Sequence, residues 1–186
     1  MNHRFLYKLI GTGFSKLYSG HIKFTTPNKQ DVVIYRRDGT KWIDLTVLHD
    51  IDRFVLDTEI HNKESVLYLS PAILYTAIKK YFENLFPSSY TTKIKLFSSY
   101  YYGVLWQMKP KVVITIKGQY TPFWGWLANT LGSTRFIALP WINSREAYLK
   151  RMVDGRFDNF VWGTNDLTIL EEYGLYSYKN HIHGSL

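Results

Sequence analysis

The hydrophobic positions along the chain form short continuous runs, separated by stretches with helical spacing. The clearest run is KVVITI (111–116), which is apolar throughout, as in a central parallel strand that is buried on both faces. Further runs also predict strands: DVVIY (31–35), RFVLDT (53–58), SVLYLS (65–70), RFIALPW (135–141) and NFVWG (159–163), with KNHIHGSL (179–186) as a last extended run.

Between most of these runs, apolar residues recur at helical spacing and predict helices. The best marked helix begins at Ser70-Pro71, which is a typical N-cap followed by proline at the first helical position. Its apolar residues make one stripe, which consists of Ile73, Leu74, Ala77, Ile78, Tyr81 and Phe82. Other predicted helices cover 41–51, 93–108, 123–132, 144–153 and 164–174.

Strands and helices that alternate with short connections predict βαβ units, and therefore a mostly parallel sheet with helices on both faces. The predicted fold class is α/β and Rossmann-like, with the domain extending over 31–186. Residues 1–30 are predicted to precede it as an amphipathic helical arm. Two interpretations of the arm stay open: a helix packed on the domain, or a basic segment that lies on an anionic membrane surface.

Composition narrows the range of partners. The net charge of +8 favours anionic partners, but the basic residues are dispersed, so nucleic acid is not an expected partner. No apolar run reaches the ~20 residues that span a bilayer, and the amino terminus does not resemble a signal peptide. We therefore expect a cytoplasmic protein, peripheral on the inner face of the membrane if the arm lies there.

Several kinds of active site are excluded or not indicated. The chain has no cysteine, which excludes disulfides, thiolate metal sites and a cysteine nucleophile. His181 and His183 alternate along one predicted strand without a third ligand nearby, so no metal site is predicted. The GxSxG, Walker A and HExxH motifs do not occur.

Candidate site residues follow the predicted strands, because ligands of open α/β sheets bind at the carboxyl edge. Basic side chains and the free N–H groups at helix starts suit a phosphate or a carboxylate there. The candidates for anion binding are Arg36, Arg37, Gly39, Lys117, Gly118, Asn143, Gly163, Thr164 and Asn165. Asp38, on the turn after the first strand of the domain, is the candidate general base toward a sugar hydroxyl.

A structural interpretation of these candidates stays open. Asp38-Gly39 is a common turn pair, in which the aspartate binds its own backbone. Lys117-Gly118 suits a solvated turn, and Thr164 or Asn165 suits a helix cap.

Several segments together resemble the amino-terminal half of a family of bacterial surface-carbohydrate biosynthesis proteins. They are DVVIYRRDGTKWI, FVLDTE with VLYLSPAIL, KPKVVITIKGQYTPFWGWL, RFIALPWIN, and FDNFVWGTNDLTILEEYG with HIHGSL. That family is similar to GT-B glycosyltransferases and, in architecture, to the CDP-glycerol glycerophosphotransferases. It usually has a polar QNG-like turn where this chain has LPWIN (139–143).

The resemblance implies the acceptor-binding half of an enzyme that transfers a sugar or glycerophosphate in the synthesis of lipopolysaccharide or capsule. The acceptor would be a glycan or a lipid-linked molecule. His183, Gly184 and Ser185 would begin the crossover to a second domain, in the same chain or a separate subunit, that binds a nucleotide-activated donor. No cofactor is expected in this half, which would be inactive alone.

A non-enzymatic interpretation stays open beside this one. A Rossmann-like module could hold a phosphorylated sugar or a partner protein without catalysing a reaction, because a fold of this class does not fix a function. Binding of RNA through the many aromatic side chains is a third hypothesis, which predicts a steep salt dependence.

Overall fold

The computed structural model describes residues 21–36, 53–57, 66–116, 122–139, 156–161, 163–172 and 180–182. Within these residues one sheet contains six strands, all parallel: β2 (Val32–Arg36), β3 (Arg53–Asp57), β5 (Val112–Ile116), β6 (Arg135–Leu139), β7 (Phe157–Val161) and β8 (Asn180–Ile182). Two shorter strands, β1 (His21–Lys23) and β4 (Val66–Tyr68), form a separate parallel pair. The predicted α/β, Rossmann-like fold class is confirmed.

The strands of the large sheet lie in the order β3-β2-β5-β6-β7-β8. A continuous row of fully buried side chains crosses its centre, because Val33, Val113, Phe136 and Phe157 pair in register on neighbouring strands. Ile34 points to the other face and is only 1% exposed, so that face is covered at β2 as well. Burial on both faces explains why these strands read as continuous apolar runs.

Four helices are described: α1 (Pro71–Glu83), α2 (Thr92–Met108), α3 (Pro122–Thr130) and α4 (Thr164–Glu172). Ser70 and Thr91 cap the starts of α1 and α2, since their hydroxyls accept hydrogen bonds from the N–H groups of Ile73 and Ile94. Asn84 and Lys109 end these helices in the left-handed conformation, with φ of 49° and 52°. The predicted helices at 71–82 and 93–108 are confirmed.

α1 and α2 form a tightly packed antiparallel pair beside the sheet. Gly103 permits the close approach, because a Cβ atom at this position would lie 2.7 Å from the carbonyl oxygen of Ile73. Two further contacts join the helices: Gln107 of α2 donates a hydrogen bond to Thr76 of α1, and the Nζ atom of Lys80 on α1 lies 4.9 Å from the ring centre of Tyr102 on α2. The contact therefore uses one narrow face of α1.

This packing buries only part of the apolar stripe of α1. Ile73 and Ala77 are buried, but Leu74, Ile78 and Phe82 are 38%, 56% and 78% exposed. The stripe is wider than the contact with α2, so its second half faces outward. Together with Tyr75 and Leu85 these exposed residues form an outer apolar face, which consists of Leu74, Tyr75, Ile78, Phe82 and Leu85.

The boundary of the predicted arm also needs correction. Residues 1–20 lie outside the described residues, but β1 occupies His21–Lys23, within the segment 1–30 that was predicted to be helical. β1 pairs in register with β4, from His21 beside Val66 to Lys23 beside Tyr68. His21–Lys23 is therefore a strand and not part of a helix. The predicted helices at 41–51 and 144–153 lie outside the described residues.

Candidate functional site

The strand order of the large sheet reverses between β2 and β5. From β2 the chain continues to β3 on one side, whereas β5 begins the succession that leads outward to β8 on the other side. The pairing of β2 with β5 extends from Val32 beside Val112 to Tyr35 beside Thr115. In open α/β sheets such a reversal leaves a crevice outside the carboxyl ends of the two strands, which is the usual position of a ligand.

The candidate residues after β2 and β5 follow two strands that end side by side. Arg36 is the last residue of β2, and β5 ends one residue before Lys117. Neighbouring strands lie about 4.8 Å apart, so the chain leaves the sheet twice at nearly the same point. The side chain of Arg36 lies outside the described residues. So do nine other candidates: Arg37, Asp38, Gly39, Lys117, Gly118, Asn143, His183, Gly184 and Ser185.

A third group of candidates lies further along the same edge. Gly163 and Thr164 follow β7, and Thr164 is the first residue of α4. The carbonyl of Thr164 accepts a hydrogen bond from the hydroxyl of Thr168, and the space beside Gly163 is open. Asn165 belongs to the first turn of α4, but its side chain lies outside the described residues. Since β6 separates β7 from β5, this group starts about 10 Å from the end of β5.

An aromatic cluster packs against Tyr35, next to the end of β2. The ring of Tyr35 lies 4.6 Å from that of Trp124 and 6.5 Å from that of Phe123, both at the start of α3. Trp124 is fully buried, and its indole N–H has no hydrogen-bond partner among the described residues. These contacts anchor β2 to α3 within the hydrophobic core. Sequence reasoning did not assign this role, although the pair Phe123-Trp124 directly after a turn was a visible signal.

Thr115 adds a polar contact near the end of β5. Its side chain is fully buried, and the hydroxyl donates to the carbonyl oxygen of Ile137 on β6 at 3.4 Å. A buried hydroxyl needs such a partner, because an unpaired one costs roughly 1–3 kcal/mol. The contact ties β5 to β6 close to the edge where the candidate site lies.

A separate cavity of about 390 Å³ lies at the opposite, amino edge of the sheet. It is lined by Ala128, Gly132, Ser133, Thr134, Arg135, Arg156 and Asp158. Sequence reasoning missed these residues, because it considered only the carboxyl ends of the strands. The signal was the repeated Arg-Phe pair at 135–136 and 156–157, whose phenylalanines pair in register on neighbouring strands.

The described residues contain no group of three or more histidine, aspartate or glutamate side chains arranged to hold a metal ion. None of the described helices is both long enough and apolar enough to cross a membrane. Comparison with protein-family models, with curated proteins and with solved structures gives no match.

Proposed function

We propose that this domain is the acceptor-binding half of a GT-B-like glycosyltransferase that acts in cell-surface polysaccharide biosynthesis. The observation that supports it most is the reversal of strand order, since β2 and β5 end side by side. In the sequence these strands continue into RRDG (36–39) and KG (117–118), which are basic and contain glycine. Basic turns at such a crevice suit an acceptor that carries phosphate or carboxylate.

In the proposed reaction the acceptor hydroxyl attacks the activated carbon of a donor that a second domain holds. Asp38 takes the hydroxyl proton while the oxygen–carbon bond forms and the bond to the nucleotide diphosphate breaks. Arg36, Arg37 and Lys117 bind an anionic group of the acceptor. The second domain supplies the nucleotide-binding groups, so the present chain has no activity alone.

A membrane-bound acceptor is part of the proposal, and the outer apolar face supports it. The pair α1–α2, with the turn between them and Lys109, contains five lysines against one glutamate. Exposed Lys79 flanks the outer apolar face on α1, and Lys93 and Lys95 lie in the first turn of α2, beside the carboxyl end of α1. An exposed apolar face bordered by lysines suits the interface of an anionic membrane, where lipid-linked acceptors reside.

The test uses the enzyme that contains both halves, with Asp38→Asn and Lys117→Ala. We expect Asp38→Asn to lower kcat roughly 10²–10⁴-fold with little change in the KM for the acceptor, because it removes only the base. Lys117→Ala should instead raise the KM for the acceptor, since it removes a charge that binds the acceptor in the ground state. Steady-state kinetics with purified enzyme separates the two effects.

Lys111→Ala is the matched control for Lys117→Ala. Lys111 precedes β5 whereas Lys117 follows it, and the exposed ion pair of Lys111 with Asp31 adds little stability. The proposal fails if full activity persists in both variants. Tight binding of a phosphorylated sugar by the chain alone, with no transfer activity in any form, would favour the non-enzymatic module.

A further inference from the structure

The cavity at the amino edge has the size and the lining of a small-molecule site. Its volume of about 390 Å³ falls within the range of roughly 300–1,000 Å³ that is usual for ligand pockets. Its lining combines two arginines, two hydroxyl side chains and the buried carboxylate of Asp158. Strands β6 and β7 begin here, about 13 Å from the carboxyl edge, since each has five residues.

Asp158 fixes the guanidinium group of Arg135. The aspartate side chain is 5% exposed and accepts a hydrogen bond from Nε of Arg135, which is itself 59% exposed. Both residues lie on the same face of the sheet, because Ile137 is two residues beyond Arg135 and pairs with Asp158. A buried carboxylate that holds an exposed arginine in place reduces the conformational freedom that the arginine loses when it binds a ligand.

Arg135 keeps donors for a ligand. A guanidinium group carries more N–H donors than one carboxylate can use, and Asp158 is its ion-pair partner among the described residues. The exposure of Arg135 leaves the remaining donors accessible from the cavity. A planar guanidinium group binds two oxygens of a phosphate or carboxylate at once, through two parallel hydrogen bonds.

Two other lining residues, Thr134 and Arg156, are held by hydrogen bonds between a side chain and the backbone. The hydroxyl of Thr134 donates to the carbonyl oxygen of Pro110 at 2.9 Å, and the N–H group of Arg156 donates to Oδ1 of Asn129 at 3.0 Å. Ser133 lies at the exposed rim beside Arg135 and presents a hydroxyl donor. The guanidinium group of Arg135 and the hydroxyl of Ser133 beside one space favour a ligand group with several oxygens, which a phosphate monoester supplies.

We propose that this cavity binds a small phosphate monoester, with Arg135 as the residue that holds the phosphate and Asp158 as its positioning residue. The site is separate from the crevice at the carboxyl edge and does not depend on the glycosyltransferase proposal. A ligand bound here would contact the starts of β6 and β7 and the end of α3.

The test measures binding of glucose 6-phosphate to the full chain by calorimetry, with glucose as the uncharged comparison. We expect saturable binding of the phosphate ester with a Kd of roughly 1 mM or lower, and none of glucose. Arg135→Gln and Arg135→Lys should each weaken binding at least tenfold, the latter because lysine keeps the charge but loses the fork. A soluble short-chain phosphatidic acid, used as a competitor, distinguishes a lipid headgroup from a free metabolite as the source of the phosphate.

Two further variants separate this site from general electrostatic attraction and from loss of folding. Lys111→Gln removes a positive charge at the same edge without altering the cavity lining, and should change the Kd less than twofold. Ser133→Ala keeps the pair of Arg135 and Asp158 and should weaken binding about threefold. The proposal is overturned if the wild-type chain shows no saturable binding, or if Arg135→Lys binds as tightly as the wild type.

Discussion

At the scale of single residues, two buried serines show how position decides what a hydroxyl contributes. Ser70 caps α1, since its Oγ accepts a hydrogen bond from the N–H of Ile73 at 3.3 Å, and the hydroxyl of Thr26 donates to the same oxygen. Ser98 lies within α2, and its hydroxyl is fully buried without a partner among the described residues. A cap stabilises by about 1 kcal/mol, whereas an unpaired buried hydroxyl costs roughly 1–3 kcal/mol.

The same substitution should therefore have opposite effects at these two positions. We expect Ser70→Ala to lower the free energy of unfolding by about 1 kcal/mol, because an N–H group of α1 loses its acceptor. Ser98→Ala should raise it by about 1 kcal/mol, through removal of the unpaired hydroxyl and the better helix propensity of alanine. Denaturant titration measures both changes, provided that the m value (the dependence of the unfolding free energy on denaturant concentration) is the same in all variants. A clear loss of stability in Ser98→Ala would show that its hydroxyl has a partner after all.

Features of single residues were predictable when the partner is close in sequence. The cap at Ser70 could be predicted because its partner, Ile73, is three positions away and Pro71 marks the helix start. The pair of Arg135 and Asp158 could not, because it spans 23 positions and depends on the register between two strands. Sequence alone does not supply that register.

At the scale of elements, the position of α1 was predictable but its buried face was not. The N-cap, the proline and the helical spacing fix where the helix lies, and the apolar stripe spans about half of its circumference. Which half is buried depends on α2, where Gly103 leaves room for Ile73 and Ala77. The absence of a side chain on a distant glycine selected the buried half.

The outer apolar face gives a prediction for membrane binding at this scale. We expect the chain to co-sediment with vesicles that contain anionic phospholipid, and Phe82→Gln to weaken that binding about tenfold or more. Burial of one such side chain in an apolar medium contributes roughly 1.5–3 kcal/mol, and tenfold in affinity corresponds to about 1.4 kcal/mol. Because Phe82 is 78% exposed, the variant should keep the wild-type free energy of unfolding within about 0.5 kcal/mol.

Ile182→Gln is the control for the outer apolar face. Ile182 is also exposed, but it lies on β8 at the edge of the large sheet, and its replacement should leave vesicle binding unchanged. Neutral vesicles should bind the wild-type chain more weakly, because they lack the anionic headgroups that attract the lysines near the outer apolar face. Equal vesicle binding by Phe82→Gln and the wild type would argue against this face as the contact.

At the scale of the whole molecule, the parallel sheet was predictable whereas its strand order was not. Continuous apolar runs linked by helices predict parallel strands buried on both faces. The order depends on where the long connection through β4, α1 and α2 returns, which is on the far side of β2 from β3. That return places β5 beside β2, so that the two strands end side by side. The general rule on carboxyl edges directed the search for a site to the ends of β2 and β5, and the cavity at the amino edge was therefore missed.

Stability at alkaline pH is a property of the whole fold, because burial raises the pKa of three tyrosines in different parts of it. Burial raises the pKa of Tyr90, in the turn between α1 and α2, to about 12. Burial also raises the pKa of Tyr68 on β4 and of Tyr102 on α2, where the nearby charge of Lys80 opposes the change. In each case the folded chain holds the phenolic proton at a pH at which the unfolded chain releases it.

The free energy of unfolding should therefore fall between pH 10 and about 12. Below pH 10 both states keep the proton and the full stability is present, whereas above it the unfolded state ionises first and is favoured. Lysines titrate in the same window, so the informative quantity is the difference between variants. Tyr90→Phe should flatten the decline, and Tyr75→Phe, at an exposed position of α1, should not. If both variants decline as steeply as the wild type, burial of Tyr90 does not contribute to alkaline unfolding.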